Sequence, residues 1–160
     1  MDKRILRTSL ASVSLLFLAT CSTLFPGGRQ NSIIETNKEV HRRMILEVMG
    51  DGNFDVVPEL FHADWIGYSN GHEYARGRYQ LILFWSMYHE AFPEMVFEIE
   101  EQVAQDNRVA TRWVCTGRQQ GEFLGKAPTG REVKQVGITI SRFQDGKSIE
   151  CHTVVLGYRY

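Results

Sequence analysis

The chain has 160 residues, 43% hydrophobic and 23% charged, and a net charge of −1. That length supports one domain with one core, and the composition excludes a disordered chain. With no basic run after residue 10, the sequence offers no electrostatic footprint for a nucleic-acid partner, so none is expected.

The first twenty residues differ in kind from the rest. Lys3, Arg4 and Arg7 form a basic start, and Leu10 to Ala19 (LASVSLLFLA) is an apolar run of signal-peptide length, too short to span a bilayer comfortably. Cys21 follows LAT, a pattern that resembles a bacterial lipobox, with Thr20 where Gly, Ala or Ser is usual. Three outcomes stay open: lipidation at Cys21, a plain secretory signal cleaved nearby, or an uncleaved anchor. The expectation carried forward is residues 1–20 as signal peptide, 21–32 as a lipid-anchored tether and 33–160 as the domain. The protein would then be an exported cell-envelope lipoprotein held to the membrane by its N-terminus, or else a secreted or periplasmic one. Ser22 to Ser32 (STLFPGGRQNS) reads as the tether because it has Pro, a Gly pair and no period.

Ser32 and Glu35 have capping-box spacing, which predicts that a helix begins there. Ile33, Val40, Met44 and Val48 supply its apolar stripe, and Gly50 and Gly52 end it. A short helix is expected over DVVPELF, with Pro58 near its first turn. Ala63 to Ser69 reads as a short strand and NGHEYARG as a loop. Leu81, Phe84, Trp85, Tyr88 and Phe92 mark a long helix that Pro93 closes. Beyond it the period drops to two. Four strands are expected over MVFEIEEQV, RVATRWVCTGR, EVKQVGITISRF and SIECHTVVL, the last two joined by an Asp145-Gly146 hairpin turn. Helices followed by a meander give an α+β class.

The stretch from Arg76 to Glu150 resembles the SnoaL-like polyketide cyclase family of the nuclear-transport-factor-two-like superfamily, most specifically at AFPEM, GEFLGKAPTGR and FQDGKSIE. The likeness covers about residues 35 to 155. It implies a cone-shaped α+β barrel, with N-terminal helices packed into a strongly curved antiparallel sheet around an internal cavity. It also implies dimerisation through the sheet, so a homodimer is expected. The family's cyclases close a ring by intramolecular aldol addition without metal or cofactor, and none is expected here. A carboxylate on the last strand moves the proton, assisted by a histidine on the preceding strand and an Asn near the first. Such a base needs hydrogen-bond reach and a raised pKa.

Carried over, the acid position falls on Thr153, the histidine position on Thr139 and the Asn position on Gly67, while Cys151 stands where many relatives have His. None of these side chains is a base near pH 7. His152, His62 and Asp64 are the remaining candidates for a relocated acid–base group. Alternation along the strand puts His152 outside if Thr153 is inside, unless the register slips by one. His62 and Asp64 stand near the mouth of the first strand. His89 reads as a rim residue, and His72 with Glu73 lies in the predicted loop as a lid or as solvated chain. No HxxxH or CxxC spacing points to a metal.

Tyr68, Trp85, Tyr88 and Trp113, with Thr139, Cys151 and Thr153, are the expected pocket lining. They suit a flat, mostly apolar small molecule. Cys115 and Cys151 fall on strands separated by a third, roughly 9–10 Å apart and beyond disulfide reach. Three functions remain: a binding protein for a small hydrophobic molecule without the cyclase acid–base residues, an enzyme (cyclase, isomerase or hydrolase) with a relocated His or Asp, and a dimerisation or assembly module.

Overall fold

The computed structural model describes residues 26–159. The signal peptide, the lipobox and Cys21 lie outside the described residues. Helix α1 spans Pro26–Arg43 and continues as a π-helical segment, Met44–Gly50. It therefore starts six residues before the cap expected at Ser32. Ser32 is inside the helix, and its carbonyl accepts a hydrogen bond from the Thr36 hydroxyl. The buried face of the helix is Asn37, His41, Met44, Ile45, Val48 and Met49, while Ile33 is exposed. Met44 and Val48 of the expected stripe are thus buried and Val40 packs against the core, while the two polar members of the face, Asn37 and His41, are ones that apolar spacing does not mark.

A short 3₁₀ turn, Phe54–Val56, leads into α2, Val57–Leu60, and then β1, Phe61–Ser69. The predicted loop after β1 is instead strand β2, His72–Arg76, which pairs antiparallel with β1. The turn between them is Asn70-Gly71, with both residues at positive φ. Asn-Gly suits this hairpin turn because both central residues must be left-handed. Helix α3, Gly77–Ala91, follows. The strands β3 (Val96–Gln105), β4 (Arg108–Arg118), β5 (Glu132–Gln144) and β6 (Lys147–Arg159) form the expected meander. The sheet order is β2-β1-β6-β5-β4-β3. The β1–β6 pairing is parallel, so the sheet is mixed at one seam, where an all-antiparallel sheet was expected.

Bulges at Ile99/Glu101, Gln135/Val136 and Arg142/Phe143 bend the long strands. The bent sheet wraps the helices, and the layered α+β arrangement matches the expected class. The core fills the hollow between them: Trp65, Leu60, Leu81, Ile45 and Val109 are almost fully buried. The Trp65 indole donates a hydrogen bond to the buried Ser148 hydroxyl at 3.2 Å, so β1 and β6 are tied by a satisfied polar pair inside an apolar layer. Alternation then sorts the strands. The odd-numbered residues of β4 and β5, and of β6 from Cys151 to Val155, face the helices and their even-numbered neighbours face away, while Ser148, on the other side of the Arg142/Phe143 register shift, faces inward.

Candidate ligand cavity

The space between α1, α3 and the sheet is not completely filled. A cavity remains, with about 50 Å³ open to the centre of a water-sized sphere. By that measure it has room for about three or four waters. Its wall includes Trp85 and Tyr88 from α3, Trp113 from β4, Thr139 from β5, and Cys151 and Thr153 from β6. Six of the seven expected lining residues are therefore brought together.

Tyr68 is the seventh, and the structure places it elsewhere. In β1 the inward positions are Trp65 and Gly67, so Tyr68 points to the outer face. There its ring stacks on His152 with centroids 4.6 Å apart. Tyr74 of β2 takes the inner place instead, against Trp65 and Phe84. A side chain at Gly67 would collide with the rings of Trp65 and Tyr74. The room that an Asn would occupy at this position is filled by aromatic carbon.

The three relocated acid–base candidates do not reach the cavity. His152 lies on the outer face, as alternation requires, and its imidazole contacts the Glu150 carboxylate at 3.1 Å. Arg142 beside Glu150, with His152 adding to it, holds that carboxyl below the usual range. His62 accepts a hydrogen bond from the Asp64 backbone N–H at 3.2 Å, and the Asp64 carboxylate is largely exposed. His72 and Glu73 sit on the edge strand β2, where Glu73 pairs with Arg76. His89 packs its ring edge-on to Phe54 and against Gly52. Cys115 and Cys151 are both buried and free. Cys115 is level with Gln135 and Cys151 with Ser141, so they are offset along the strands as well as across them.

An imidazole does stand at the cavity, and the apolar stripe did not reveal it. His41 of α1 is fully buried and lies on the cavity wall. Its Nδ1 is 2.8 Å from the Thr111 hydroxyl and its Nε2 is 3.0 Å from the Ser141 hydroxyl. Gln102 donates to Thr111 at 3.1 Å, which extends the cluster to β3. Burial pushes the His41 imidazole down to about 4, so it is neutral at pH 7. Both ring nitrogens are engaged, and Ser141 is fully buried and off the cavity wall. The imidazole thus ties helix to sheet. The signal that would have found it is its place one turn before Met44 and Ile45 on the buried face.

Among the remaining polar side chains of the wall, Trp113, Thr139 and Thr153 are joined by hydrogen bonds. The Trp113 indole donates to the Thr139 hydroxyl at 2.9 Å, and the Thr139 and Thr153 hydroxyls are 3.0 Å apart. Burial pushes the Cys151 thiol up to about 11, against the opposing hydrogen bonds from Tyr74, Thr153 and the Tyr68 backbone. Burial also raises the Tyr74 phenol well above its ordinary value. No Asp, Glu, Lys or Arg lines the cavity among the described residues. With His41 neutral and Cys151 and Tyr74 protonated, the wall carries no formal charge at pH 7. Among the described residues, no three His, Cys, Asp or Glu side chains converge as a metal site would need.

The family model for SnoaL-like polyketide cyclases matches residues 39–155. The chain belongs to the SnoaL-like polyketide cyclase family. A solved SnoaL-like relative from Jannaschia sp. CCS1, assigned as a polyketide cyclase, is 27% identical with a TM-score of 0.71. The match covers 77% of this chain and 87% of that one. AclR from Streptomyces galilaeus, assigned as a hydroxylase, is 26% identical with a TM-score of 0.67, covering 77% and 90% of the two chains. IdmH from Streptomyces antibioticus, assigned as a polyketide cyclase, is 25% identical with a TM-score of 0.64, covering 74% and 91%. No curated protein sequence matches this chain. Assignments differ among these relatives, so the fold alone does not fix a reaction.

Proposed function

We propose that this SnoaL-like protein is an exported, lipid-anchored binding protein, whose cavity takes a small hydrophobic molecule without the family's acid–base chemistry. The observation that carries the reading is the pair Thr139 and Thr153. They line the cavity at the two positions where the family likeness puts a histidine and a carboxylate, and they hydrogen-bond each other. A hydroxyl pair can hold a guest, but it cannot take a proton from carbon near pH 7. The uncharged aromatic wall favours an apolar guest over an ionised one. The basic start, the apolar run and Cys21 support export and anchoring.

The enzyme reading is weakened by the positions of His152, His62 and Asp64, all away from the cavity, and by the engagement of both His41 nitrogens. The assembly reading keeps one point in its favour. Ile138, Ile140, Val154 and Leu156 are exposed together on the outer sheet face, which suits a homodimer through the sheet. That interface and the cavity lie on opposite faces and are compatible.

Native mass spectrometry of the full-length chain, purified from its own membrane fraction, tests the reading. The expected spectrum shows a diacylglyceryl-scale mass increase at Cys21 and a noncovalent small molecule that leaves under mild activation. A chain that is always empty, and that takes up no small aromatic molecule in solution, would overturn the binding reading.

A further inference from the structure

Helix α1 outruns the sheet it packs against. With its π-helical continuation it runs antiparallel to β3: Gly50 stands beside Phe97, and the Lys38 carbonyl accepts a hydrogen bond from the Gln102 carboxamide. Toward its N-terminus the helix therefore heads for the β3–β4 turn at Asp106-Asn107. Strand β3 ends at Gln105, three residues and about 10 Å past Gln102. From Lys38 the helix reaches back to Pro26, twelve residues and about 18 Å. Burial agrees. Every residue from Gly28 to Ile33 is exposed, and Asn37 is the first buried one. Gln30, Ile33 and Ile34 prolong the helix face that carries Asn37 and His41, yet Ile33 is 45% exposed. Asn107 also exchanges hydrogen bonds with the Phe143 backbone, so the Asp145-Gly146 turn lies at this same end. Residues 119–131 follow β4 and lie at the other end, about 35 Å along that strand.

The length of chain ahead of this helix is the second observation. Four residues, Ser22 to Phe25, separate Cys21 from α1, which has absorbed half of the tether expected over residues 21–32. Five Cα steps span at most about 18 Å. A lipidated Cys21 lies at the edge of the hydrocarbon, beneath a headgroup layer roughly 5–8 Å deep. That leaves at most about 10 Å between the headgroups and the start of the helix. The domain cannot turn freely on α1, because Asn37, His41 and Met44 build the same helix into the core.

Resting on the anchored reading above, we propose that the projecting turns of α1 are a membrane-contact surface that fixes how the domain is held. The hairpin end faces the bilayer and residues 119–131 face away from it. The occupant of the surface is the headgroup layer of the membrane that holds Cys21. Arg29, Gln30, Asn31 and Ser32 are exposed and supply hydrogen-bonding groups for headgroup phosphates and esters. Ile33 adds exposed apolar surface that the interface accepts.

The test uses the full-length acylated chain in vesicles of phosphatidylethanolamine and phosphatidylglycerol, with and without a nitroxide quencher on the headgroup. A thiol-reactive fluorophore is placed at Gln30→Cys, Gln105→Cys or Ala127→Cys, one at a time, all at exposed positions. Cys115 and Cys151 are buried, and an acylated Cys21 has no free thiol, so the introduced cysteine takes the label. The label at residue 30 should lose most of its fluorescence to the quencher, the one at 105 a part, and the one at 127 none. Inserting about twelve Gly and Ser residues after Phe25 roughly doubles the reach of the leash, and should bring the three signals together. An unquenched label at residue 30 would overturn this inference, whether that surface is bare or covered by a second copy. So would a label at 127 quenched as strongly as the one at 30, or three signals that the longer leash leaves unchanged. With the diacylglyceryl group found on Cys21 by mass spectrometry, each of these outcomes leaves the anchored reading standing. If Cys21 carries no acyl group, the anchored reading fails and this inference with it.

Discussion

Thr139 and Thr153 stand opposite each other on β5 and β6, with their hydroxyl oxygens 3.0 Å apart on the cavity wall. A carboxylate placed at residue 153 would sit among Trp113, Tyr74 and Cys151, with no cation on the cavity wall to pair with. In Thr153→Asp, burial therefore raises the folded-state pKa above the unfolded value of about 3.9. The sign follows. The penalty is absent below the unfolded pKa and complete above the folded one, so the variant loses stability as pH rises. The loss at pH 8 is expected to reach about 2–3 kcal/mol relative to the parent. Urea unfolding at pH 5 and pH 8 measures it, and an equal loss at both would mean that the new carboxyl reaches water.

His41 gives the opposite slope. Its folded-state pKa is depressed from 6.5 to about 4 by burial. The stability it contributes is complete above about 6.5 and is lost as pH falls toward 4, because the unfolded chain takes up the proton first. A drop of at most about 3 kcal/mol follows from that difference. Thr111 and Ser141 reach the imidazole from two strands, Gln102 of a third strand bonds Thr111, the Phe143 ring stands perpendicular to the imidazole, and none of these is charged. Denaturant midpoints between pH 4 and pH 7 should show the slope in the parent, and His41→Gln should flatten it.

The strands β3 to β6, the long helix α3 and six of the cavity residues were legible because period two and period 3.6 are written in apolar side chains. Strand β2 was not. HEYAR alternates weakly, and its pairing depends on β1, which local sequence cannot report. The same gap hid Tyr74 and brought Tyr68 forward. Both are tyrosines beside the Asn70-Gly71 turn, and only the register of β1 against β6 decides which one faces inward. His41 was missed for a different reason. Two strands supply its polar partners, so its burial is settled by tertiary contacts and not by the helix that carries it.

Gly137 is a packing device. The Trp113 indole occupies the space where a side chain at 137 would begin, and that position lets the indole nitrogen reach Thr139. Gly137→Ala is expected to displace the ring and destabilise the fold by about 1–3 kcal/mol, the range for overpacking. Near-ultraviolet circular dichroism would report the changed tryptophan environment. An unchanged spectrum with parental stability would refute the assignment.

Thiol chemistry offers a check on the cavity wall. Burial pushes Cys151 up to about 11 and Cys115 up to about 12. At pH 8 the thiolate fraction of Cys151 is then about one in a thousand, and it is the thiolate that reacts. Iodoacetamide should label neither cysteine over hours in the native protein and both in urea, as read by peptide mass spectrometry. Rapid native labelling of Cys151 would mean that the cavity opens to solvent.

The outer sheet face pairs Ile138 directly with Val154, and both side chains are exposed, 37% and 50%. Ile140 and Leu156 extend the patch along the same two strands. Covering this face with a second copy of the chain would remove apolar surface from water at roughly 25 cal/mol per Å² before association costs. Neither Ile138 nor Val154 points into the core, so charges there should weaken association while sparing the fold. In Ile138→Lys/Val154→Lys, analytical ultracentrifugation should find a monomer where the parent is a dimer, and the unfolding midpoint measured on the monomer should stay within about 1 kcal/mol. A parent that sediments as a monomer at all concentrations would remove the sheet face as a self-association surface and leave the cavity as the site on which function rests.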